Sequence, residues 1–139
     1  MEKEKLIFTN GCFDVLHRGH IELLKYCKSL GFVLVGLNSN LSVEKLKGSN
    51  RPVLDQEERK FILESIRYVD KVVIFQEETP YRLIQETAPD IVVKGGDYQA
   101  KNVIGADLAE IRIFNYMPDY STTKIIAKIM STNNSSQND

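Results

Sequence analysis

The stretch LIFTNGCFDVLHRGHIELLKYCKSLGFVLVGL, Leu6–Leu37, carries the pattern from which the fold of this chain is predicted. Two short apolar runs, Leu6–Thr9 and Phe32–Leu37, are typical of strands, and the second is almost entirely apolar, as in a sheet covered on both faces. Between them, Ile21–Leu30 has apolar side chains at helical spacing, and Gly31 is expected to cap that helix at its C-terminus. The stretch therefore predicts two parallel strands joined by a helix.

The same alternation continues along the rest of the chain. The further predicted strands are Lys71–Phe75, Ile91–Val93 and Ile111–Phe114, and the further predicted helices run from Asp55 to about Tyr68, from Thr79 and Pro80 onward, and over Thr122–Met130. The helix that Asp55 caps is expected to bury Phe61, Ile62, Ser65 and Ile66. This order predicts an α/β fold, a Rossmann-like, doubly wound, parallel five-stranded sheet. Ligands of such folds bind at the carboxyl ends of the strands, where the strand order reverses.

Length and composition limit the possible classes of protein. The chain has 139 residues, 42% of them hydrophobic and 27% charged, which excludes a wholly disordered chain and predicts one domain over residues 1–130. The polar residues 131–139 are expected to be a disordered tail. Eighteen basic and nineteen acidic residues give a net charge of −1, so we expect neither nucleic acid nor membrane as a partner. The two cysteines are far apart, no apolar stretch is long enough for a signal peptide or membrane span, and the expected location is the cytoplasm.

The only two histidines of the chain lie at the predicted start of the first helix. His17 and His20 are three residues apart and flank Gly19, so both imidazoles are expected on one side of the helix. The first turn of a helix has unpaired N–H groups and a partial positive charge, and Gly19 permits close approach to the backbone. The pattern indicates an anion site with two imidazoles beside it, the alternative being two surface histidines near a helix cap.

The sequence Gly-Cys-Phe-Asp-Val-Leu-His-Arg-Gly-His, Gly11–His20, resembles the signature of the cytidylyltransferase-like nucleotidyltransferases. Class I aminoacyl-tRNA synthetases carry a related motif but are far longer. The resemblance implies that His17 and His20 are catalytic, and that Cys12, Phe13 and Gly19 bind the nucleotide.

A second motif, Tyr120–Ile125, precedes the last predicted helix. Its hydroxyls and N–H groups suit phosphate oxygens, although a plain Ser N-cap explains the same pattern. It resembles the Ser-Thr-Thr segment of the family, which implies that Ser121, Thr122 and Thr123 hold the outer phosphates. The glycerol-phosphate cytidylyltransferases carry an arginine five residues before that serine, where this chain has Tyr116.

A third motif, Ser42–Val53, has three cations within seven positions, which by itself indicates only a solvated charged loop. The family resemblance implies that Lys47 reaches the substrate phosphates. The same resemblance implies that Arg59, on the following helix, contacts the phosphate of the acceptor or the nucleotide.

A fourth motif, Val93–Tyr98, has two glycines and an acid after a predicted strand, a composition that also forms simple turns. In the family this loop borders the nucleoside, which implies nucleotide contacts by Gly95 and Asp97, and by Asn38 nearby. Lys-Gly-Gly-Asp-Tyr, Ser-Val-x-x-Leu-Lys-Gly, Arg-Pro-Val and Glu-Glu-Thr-Pro resemble the heptose 1-phosphate adenylyltransferases. That subgroup often forms half of a fusion with a kinase, and this chain is expected to be a stand-alone form. The resemblance covers Leu6–Ile129.

The resemblance implies transfer of AMP from ATP to heptose 1-phosphate, which gives ADP-heptose and pyrophosphate. We expect Mg²⁺ to bridge the phosphates, with triphosphate and water supplying most of its ligands and few protein carboxylates binding it directly, and at least one of the two histidines to gain from being protonated. Asp14 is expected to orient its loop or to meet the acceptor, and a homodimer is expected. The alternatives are glycerol 3-phosphate with CTP, FMN with ATP in an FAD-forming enzyme, and a domain that binds nucleotide without turnover.

Overall fold

The computed structural model describes residues 3–96, 98–115 and 121–137, with side chains described as far as residue 132. One sheet contains five strands in the order β3-β2-β1-β4-β5, and all its pairings are parallel. The strands are β1 (Leu6–Gly11), β2 (Phe32–Asn38), β3 (Lys71–Phe75), β4 (Ile91–Gly95) and β5 (Glu110–Phe114). The predicted fold class, a doubly wound parallel α/β sheet, is confirmed.

Five helices connect or follow these strands. They are α1 (Arg18–Leu30), α2 (Asn40–Lys47), α3 (Gln56–Glu64), α4 (Tyr81–Thr87) and α5 (Thr122–Gln137), and a 3₁₀ turn spans Ala100–Asn102. The chain builds outward from β1 to β3, and α4 then returns it to the other side of β1. The strand order therefore reverses between β1 and β4, which is where a crevice opens in a doubly wound fold.

Apolar side chains cover both faces of the sheet. In β1, Ile7 and Phe8 are both fully buried but belong to different core clusters, because successive side chains of a strand point to opposite faces. On the face of Ile7 the cluster includes Leu24 of α1 and Leu63 of α3. On the face of Phe8 it includes Ile84 of α4. The near-continuous apolar character of these strands follows from burial on both faces.

Gly31 ends α1, as predicted, for a different physical reason. Its φ of 163° is extended backbone and not the left-handed conformation of a glycine cap. A Cβ at this position would lie 2.3 Å from the carbonyl oxygen of Lys5, which accepts from the amide of Phe32 at 2.9 Å. A glycine is required at this position because the backbone of Lys5, just before β1, lies too close to leave room for a side chain.

The predicted buried face of the third helix is largely wrong. Phe61 is 69% exposed and Ser65 is also exposed, whereas Arg59 and Leu63, four residues apart, form the buried side of α3. Ile66 follows the helix and packs partly against the core. A hydrophobicity pattern assigns an arginine to the solvent-exposed side of a helix. Because Arg59 is buried, the observed buried face of α3 differs from the predicted one.

Several helices differ in extent from the prediction. The helix α3 ends at Glu64 and not at about Tyr68, and α4 begins at Tyr81 with Pro80 as its N-cap, without the side-chain cap expected from Thr79.

The segment after β2, expected to be a loop, forms α2, because the hydroxyl of Ser39 accepts from the amide of Ser42 and caps it. The last helix was expected to end at Met130, with a disordered tail, but α5 continues to Gln137. The hydroxyl of Thr132 donates to the carbonyl of Lys128 at 2.9 Å, so this polar side chain bonds within its own helix.

Candidate active site

A cavity of about 490 Å³ opens at the carboxyl ends of the strands, where the order reverses. The predicted site residues that line it are Cys12, Phe13, Asp14, His17, His20, Asn38, Lys47, Gly95, Ser121, Thr122 and Thr123. Two other predicted residues, Gly19 and Arg59, do not line it. Asp97 and Tyr116 lie outside the described residues.

The two histidines cap α1 and each other. The Nδ1 atom of His17 accepts from the amide of Gly19 at 3.0 Å, and the Nδ1 atom of His20 accepts from the amide of His17 at 3.1 Å. This reciprocal arrangement is a capping box in which imidazoles replace the usual hydroxyl and carboxylate. The ring centroids are 4.0 Å apart. Gly19 is buried in the first turn, where its amide completes the cap.

This geometry fixes the protonation of both imidazoles. Because each Nδ1 accepts a backbone hydrogen bond, the neutral ring carries its proton on Nε2. Burial lowers the pKa of His17, and burial together with the neighbouring His17 lowers the pKa of His20 to about 4. Both are therefore neutral hydrogen-bond donors near pH 7 in the free protein. The expectation that one of them gains from protonation concerns the complex with substrate phosphates and stays a prediction.

The loop between β1 and α1 has a strained backbone. Phe13 and Val15 have positive φ angles of 46° and 51°, and a β-branched residue such as Val rarely adopts this conformation. The hydroxyl of Thr122, at the start of α5, donates to the carbonyl of Asp14, between these two residues, at 2.6 Å. The prediction gave this hydroxyl to substrate phosphates, whereas in the structure it holds the loop that leads into the histidines.

Asp14 binds the protein itself. Its carboxylate has no exposed surface and accepts from the amides of Val53 and Leu54, at 2.7 and 3.0 Å, and from Nε of Arg51 at 3.0 Å. Of the two expectations for Asp14, contact with the acceptor and orientation of the loop, the structure supports orientation. The carboxylate ties the histidine loop to the segment between α2 and α3.

Arg59 lies beneath the cavity and is only 1% exposed. It donates to the carbonyls of Cys12, Asn38 and Leu54 at 2.7, 2.8 and 2.9 Å, and to Oδ1 of Asn40 at 3.0 Å. Burial lowers the pKa of this guanidinium from its ordinary value. The prediction that Arg59 contacts a substrate is not supported, because its donors join the ends of β1 and β2 to the start of α3.

Three cationic side chains line the cavity: Lys47, from the last turn of α2, Arg51 and Lys94. Sequence reasoning did not assign a role to Arg51 or Lys94. Lys94 directly follows the apolar run Ile91–Val93 within β4, and a cation in that position was the signal in the sequence that could have identified it as a cavity residue. Burial raises the pKa of the Cys12 thiol, although Lys47, Arg59 and Arg51 act in the opposite direction. The thiol is therefore neutral near pH 7.

The N-terminus of α5 forms another part of the cavity wall. The hydroxyl of Ser121 accepts from the amide of Lys124 at 3.1 Å, which confirms Ser121 as the predicted helix cap. The amides of Thr122 and Thr123 belong to the first turn, where a helix supplies no carbonyl partner. Together with the first turn of α1, this wall offers donors and positive potential to an anion.

Within the described residues, no group of three or more His, Cys, Asp or Glu side chains is arranged to hold a metal ion. The carboxylate in the cavity wall that the prediction named, Asp14, is occupied by Arg51 and two amides. Over the same ranges of the chain, no helix has the length and apolar character that a membrane span requires.

The model of the cytidylyltransferase-like family matches residues 8–128. Two curated relatives, each named Bifunctional protein HldE, come from Helicobacter pylori strain J99 and from a species of Nitratiruptor. They are 51% identical over 95% of this chain and 50% identical over 92% of it. The alignments cover 29% and 28% of those relatives, so the chain corresponds to less than a third of their length.

Solved structures show the same fold at lower identity. The lipopolysaccharide core biosynthesis protein from Thermoplasma volcanium GSS1 has a TM-score of 0.69 and 24% identity, over 86% of this chain and 100% of that one. Pantothenate synthetase from Thermus thermophilus has a TM-score of 0.59 and 20% identity, over 82% of this chain and 56% of that one.

Proposed function

This chain belongs to the cytidylyltransferase-like family, and from that premise we propose that it transfers AMP from ATP to the phosphate of a sugar 1-phosphate. The observation that carries the proposal is the cavity itself. It brings the paired histidines of α1, the hydroxyl-bearing start of α5 and the cation of Lys47 together at the point where the strand order reverses. Such a cavity suits a chain of phosphates more than any neutral ligand.

The proposed acceptor is D-glycero-D-manno-heptose 1-phosphate, and the product is ADP-heptose. Two lines of support agree on this subgroup. The Lys-Gly-Gly-Asp-Tyr segment that begins at Lys94 resembles the heptose 1-phosphate adenylyltransferases, and relatives named Bifunctional protein HldE are about half identical over nearly the whole chain. A role in lipopolysaccharide biosynthesis, a cytoplasmic location and a homodimer belong to the same proposal.

In the proposed reaction, an oxygen of the acceptor phosphate attacks the α-phosphorus of ATP. The bond between the α-phosphorus and the bridging oxygen to the β-phosphorus breaks, and pyrophosphate leaves with that electron pair. The acceptor oxygen is already anionic, so no general base and no covalent enzyme intermediate are needed. Catalysis then consists of positioning and of stabilising negative charge, as in other phosphoryl transfers.

Each cavity residue has a role that fits its geometry. His17 and His20 donate from Nε2 to α- and β-phosphate oxygens, because Nδ1 of each ring is held by a backbone amide. Lys47 offsets the charge that develops at the α-phosphate. Ser121 and the amides of Thr122 and Thr123 hold the outer phosphates, while Cys12, Phe13, Asn38 and Gly95 border the nucleoside. The same role is proposed for Asp97 from the family resemblance alone, because it lies outside the described residues.

Asp14 and Arg59 act in this proposal as positioning residues, through the loop that leads into α1. ATP enters as its magnesium complex, in which phosphate and water oxygens supply the ligands.

Pyrophosphate release by the purified chain tests the proposal. Each of the four common nucleoside triphosphates is combined with heptose 1-phosphate, glycerol 3-phosphate or FMN in the presence of Mg²⁺. We expect release with ATP and heptose 1-phosphate alone. Release with CTP and glycerol 3-phosphate, or with ATP and FMN, would assign the chain to another subgroup of the family. Nucleotide binding without any release would identify a domain that binds but does not react.

A further inference from the structure

Lys94 is a cation of the cavity to which neither the family resemblance nor the packing of the fold assigns a role. It lies next to the last residue of β4, the strand that borders β1 at the reversal of strand order, and its side chain lines the cavity. The side chain is partly withdrawn from water, and this desolvation lowers its pKa. Among the described residues, no carboxylate forms an ion pair with it.

Within the described part of the chain, no carboxylate contributes to the electrostatics of this ammonium, and Glu78, which lines the same cavity, forms no ion pair with it. The groups that do contribute are the thiol of Cys12, which is neutral near pH 7, and the second cation Lys47, which disfavours its charged form further. Its one described ring contact is with Tyr98, whose ring centroid is 5.3 Å from Nζ. A cation–π contact with a half-exposed ring is a weak interaction. It does not offset the desolvation of a partly withdrawn ammonium that has no described counter-ion.

The local backbone is arranged to keep the Tyr98 ring in place. Gly96 has a φ of 116°, which L side chains rarely adopt, and a Cβ there would lie 3.0 Å from the Tyr98 ring. The glycine thus allows the chain to turn after β4 while the ring folds back over Lys94. The side chain of Lys94 thus lies in the wall of the cavity.

We propose that Lys94 binds a phosphate group of a substrate, and that it is a second lysine ligand of the cavity beside Lys47. The inference rests on the proposed function, because it assigns this residue to the same reaction. The free-energy cost of withdrawing the ammonium partly from water is offset when an anionic phosphate binds beside it in the cavity. That phosphate belongs either to ATP or to the sugar phosphate, and the two are separated by measuring each ligand alone.

The test uses Lys94→Met, which keeps the length of the side chain without its charge, Lys94→Arg, which keeps the charge, and Lys101→Met as a control. Lys101 is an exposed lysine of the same β4–β5 connection that does not line the cavity. Calorimetry measures the Kd of ATP with Mg²⁺ and, separately, of heptose 1-phosphate. The melting temperature of each variant is measured without ligand.

We expect Lys94→Met to weaken one or both ligands at least tenfold, to have a melting temperature no lower than the unsubstituted chain, and Lys94→Arg to recover part of the affinity. Lys101→Met should change neither quantity. Affinities within twofold for both ligands would overturn the inference. Failure of Lys94→Met to fold would also overturn it, because the ammonium would then serve the fold. Pyrophosphate release without any sugar phosphate would refute the proposed function, whereas a loss of ATP affinity in Lys94→Met would still support this assignment.

Discussion

For Arg59, the contact predicted from the sequence is with substrate, whereas the observed contacts are within the protein. The motif predicts a guanidinium that meets a phosphate, whereas the structure buries it against three carbonyls and one amide oxygen. Arg59→Lys keeps the charge but leaves several of these acceptors without a donor. Each unsatisfied buried group costs about 1–3 kcal/mol, so we expect a loss of roughly 3 kcal/mol or more in the free energy of unfolding.

Urea denaturation at pH 7 measures this loss. The control is Arg82→Lys, because Arg82 forms an exposed pair with Glu86 on α4, and exposed pairs of this kind contribute less than about 1 kcal/mol. An Arg59→Lys chain of unchanged stability with a raised KM for one substrate would restore the direct role that the sequence predicted.

His20 makes the stability of the chain depend on pH. Its pKa is about 4 in the folded chain and 6.5 ordinarily, so between these values the unfolded chain binds the proton more readily. The stabilisation from the neutral ring is fully present above pH 6.5 and is lost as the pH falls toward 4. Between about pH 7 and pH 4.5 the loss amounts to roughly 2 kcal/mol.

His20→Gln separates this effect from other titrating groups, since glutamine can occupy the same capping-box position without titrating in this range. Urea unfolding at both pH values should show a loss about 2 kcal/mol larger in the unsubstituted chain than in His20→Gln. Equal losses in the two chains would mean that His20 is not held neutral by the fold.

At the scale of elements, the start of α5 supports the loop before α1. The hydroxyl of Thr122 bridges 108 positions of sequence to reach the carbonyl of Asp14. Thr122→Val removes this bond with little change in shape, and we expect a loss of about 1–2 kcal/mol in unfolding free energy. A drop in kcat should accompany it, because the strained loop positions both histidines.

Thr132→Val is the matched control for this helix, since the hydroxyl of Thr132 donates within its own turn. Denaturation and steady-state kinetics on both variants measure the difference. If Thr122→Val left kcat unchanged and raised only the KM for ATP, its hydroxyl would serve phosphate binding, as the motif predicts.

The end of α2 separates two lysines that composition alone does not distinguish, although the family resemblance already favours Lys47. Lys47 lines the cavity and Lys45, two positions earlier, does not. Lys47→Ala is expected to lower kcat/KM at least about a hundredfold, because it removes a charge opposite the reacting phosphate. Lys45→Ala should remain within twofold. Equal losses in the two variants, measured by pyrophosphate release, would remove the particular role of Lys47.

At the scale of the whole molecule, apolar runs and capping residues were enough to predict the sheet. Leu6–Thr9 and Phe32–Leu37 identified neighbouring parallel strands, because burial on both faces leaves little room for polar residues. The same reasoning failed for α3, where the hydrogen bonds that allow Arg59 to be buried come from distant parts of the chain. Long-range partners of this kind leave no periodic pattern in a sequence.

The motifs located the cavity, but they did not distinguish side chains that face a ligand from side chains that bond to the protein. His17, His20, Lys47 and Ser121 do line it, as their spacing and the family resemblance predicted. Asp14 and Arg59 belong to the same motifs, yet their side chains bond to the protein, because a motif records a shared neighbourhood and not the direction of a side chain. Lys94 was missed because a cation at the end of a strand resembles an ordinary solvent-exposed residue.

The central claim is that the acceptor phosphate attacks the α-phosphorus of ATP. Heptose 1-phosphate labelled with ¹⁸O in its three non-bridging phosphate oxygens, incubated with ATP, Mg²⁺ and the purified chain, tests this directly by mass spectrometry of both products. The account predicts ADP-heptose that retains all three labels, together with unlabelled pyrophosphate. Label in pyrophosphate, or no ADP-heptose at all, would contradict it.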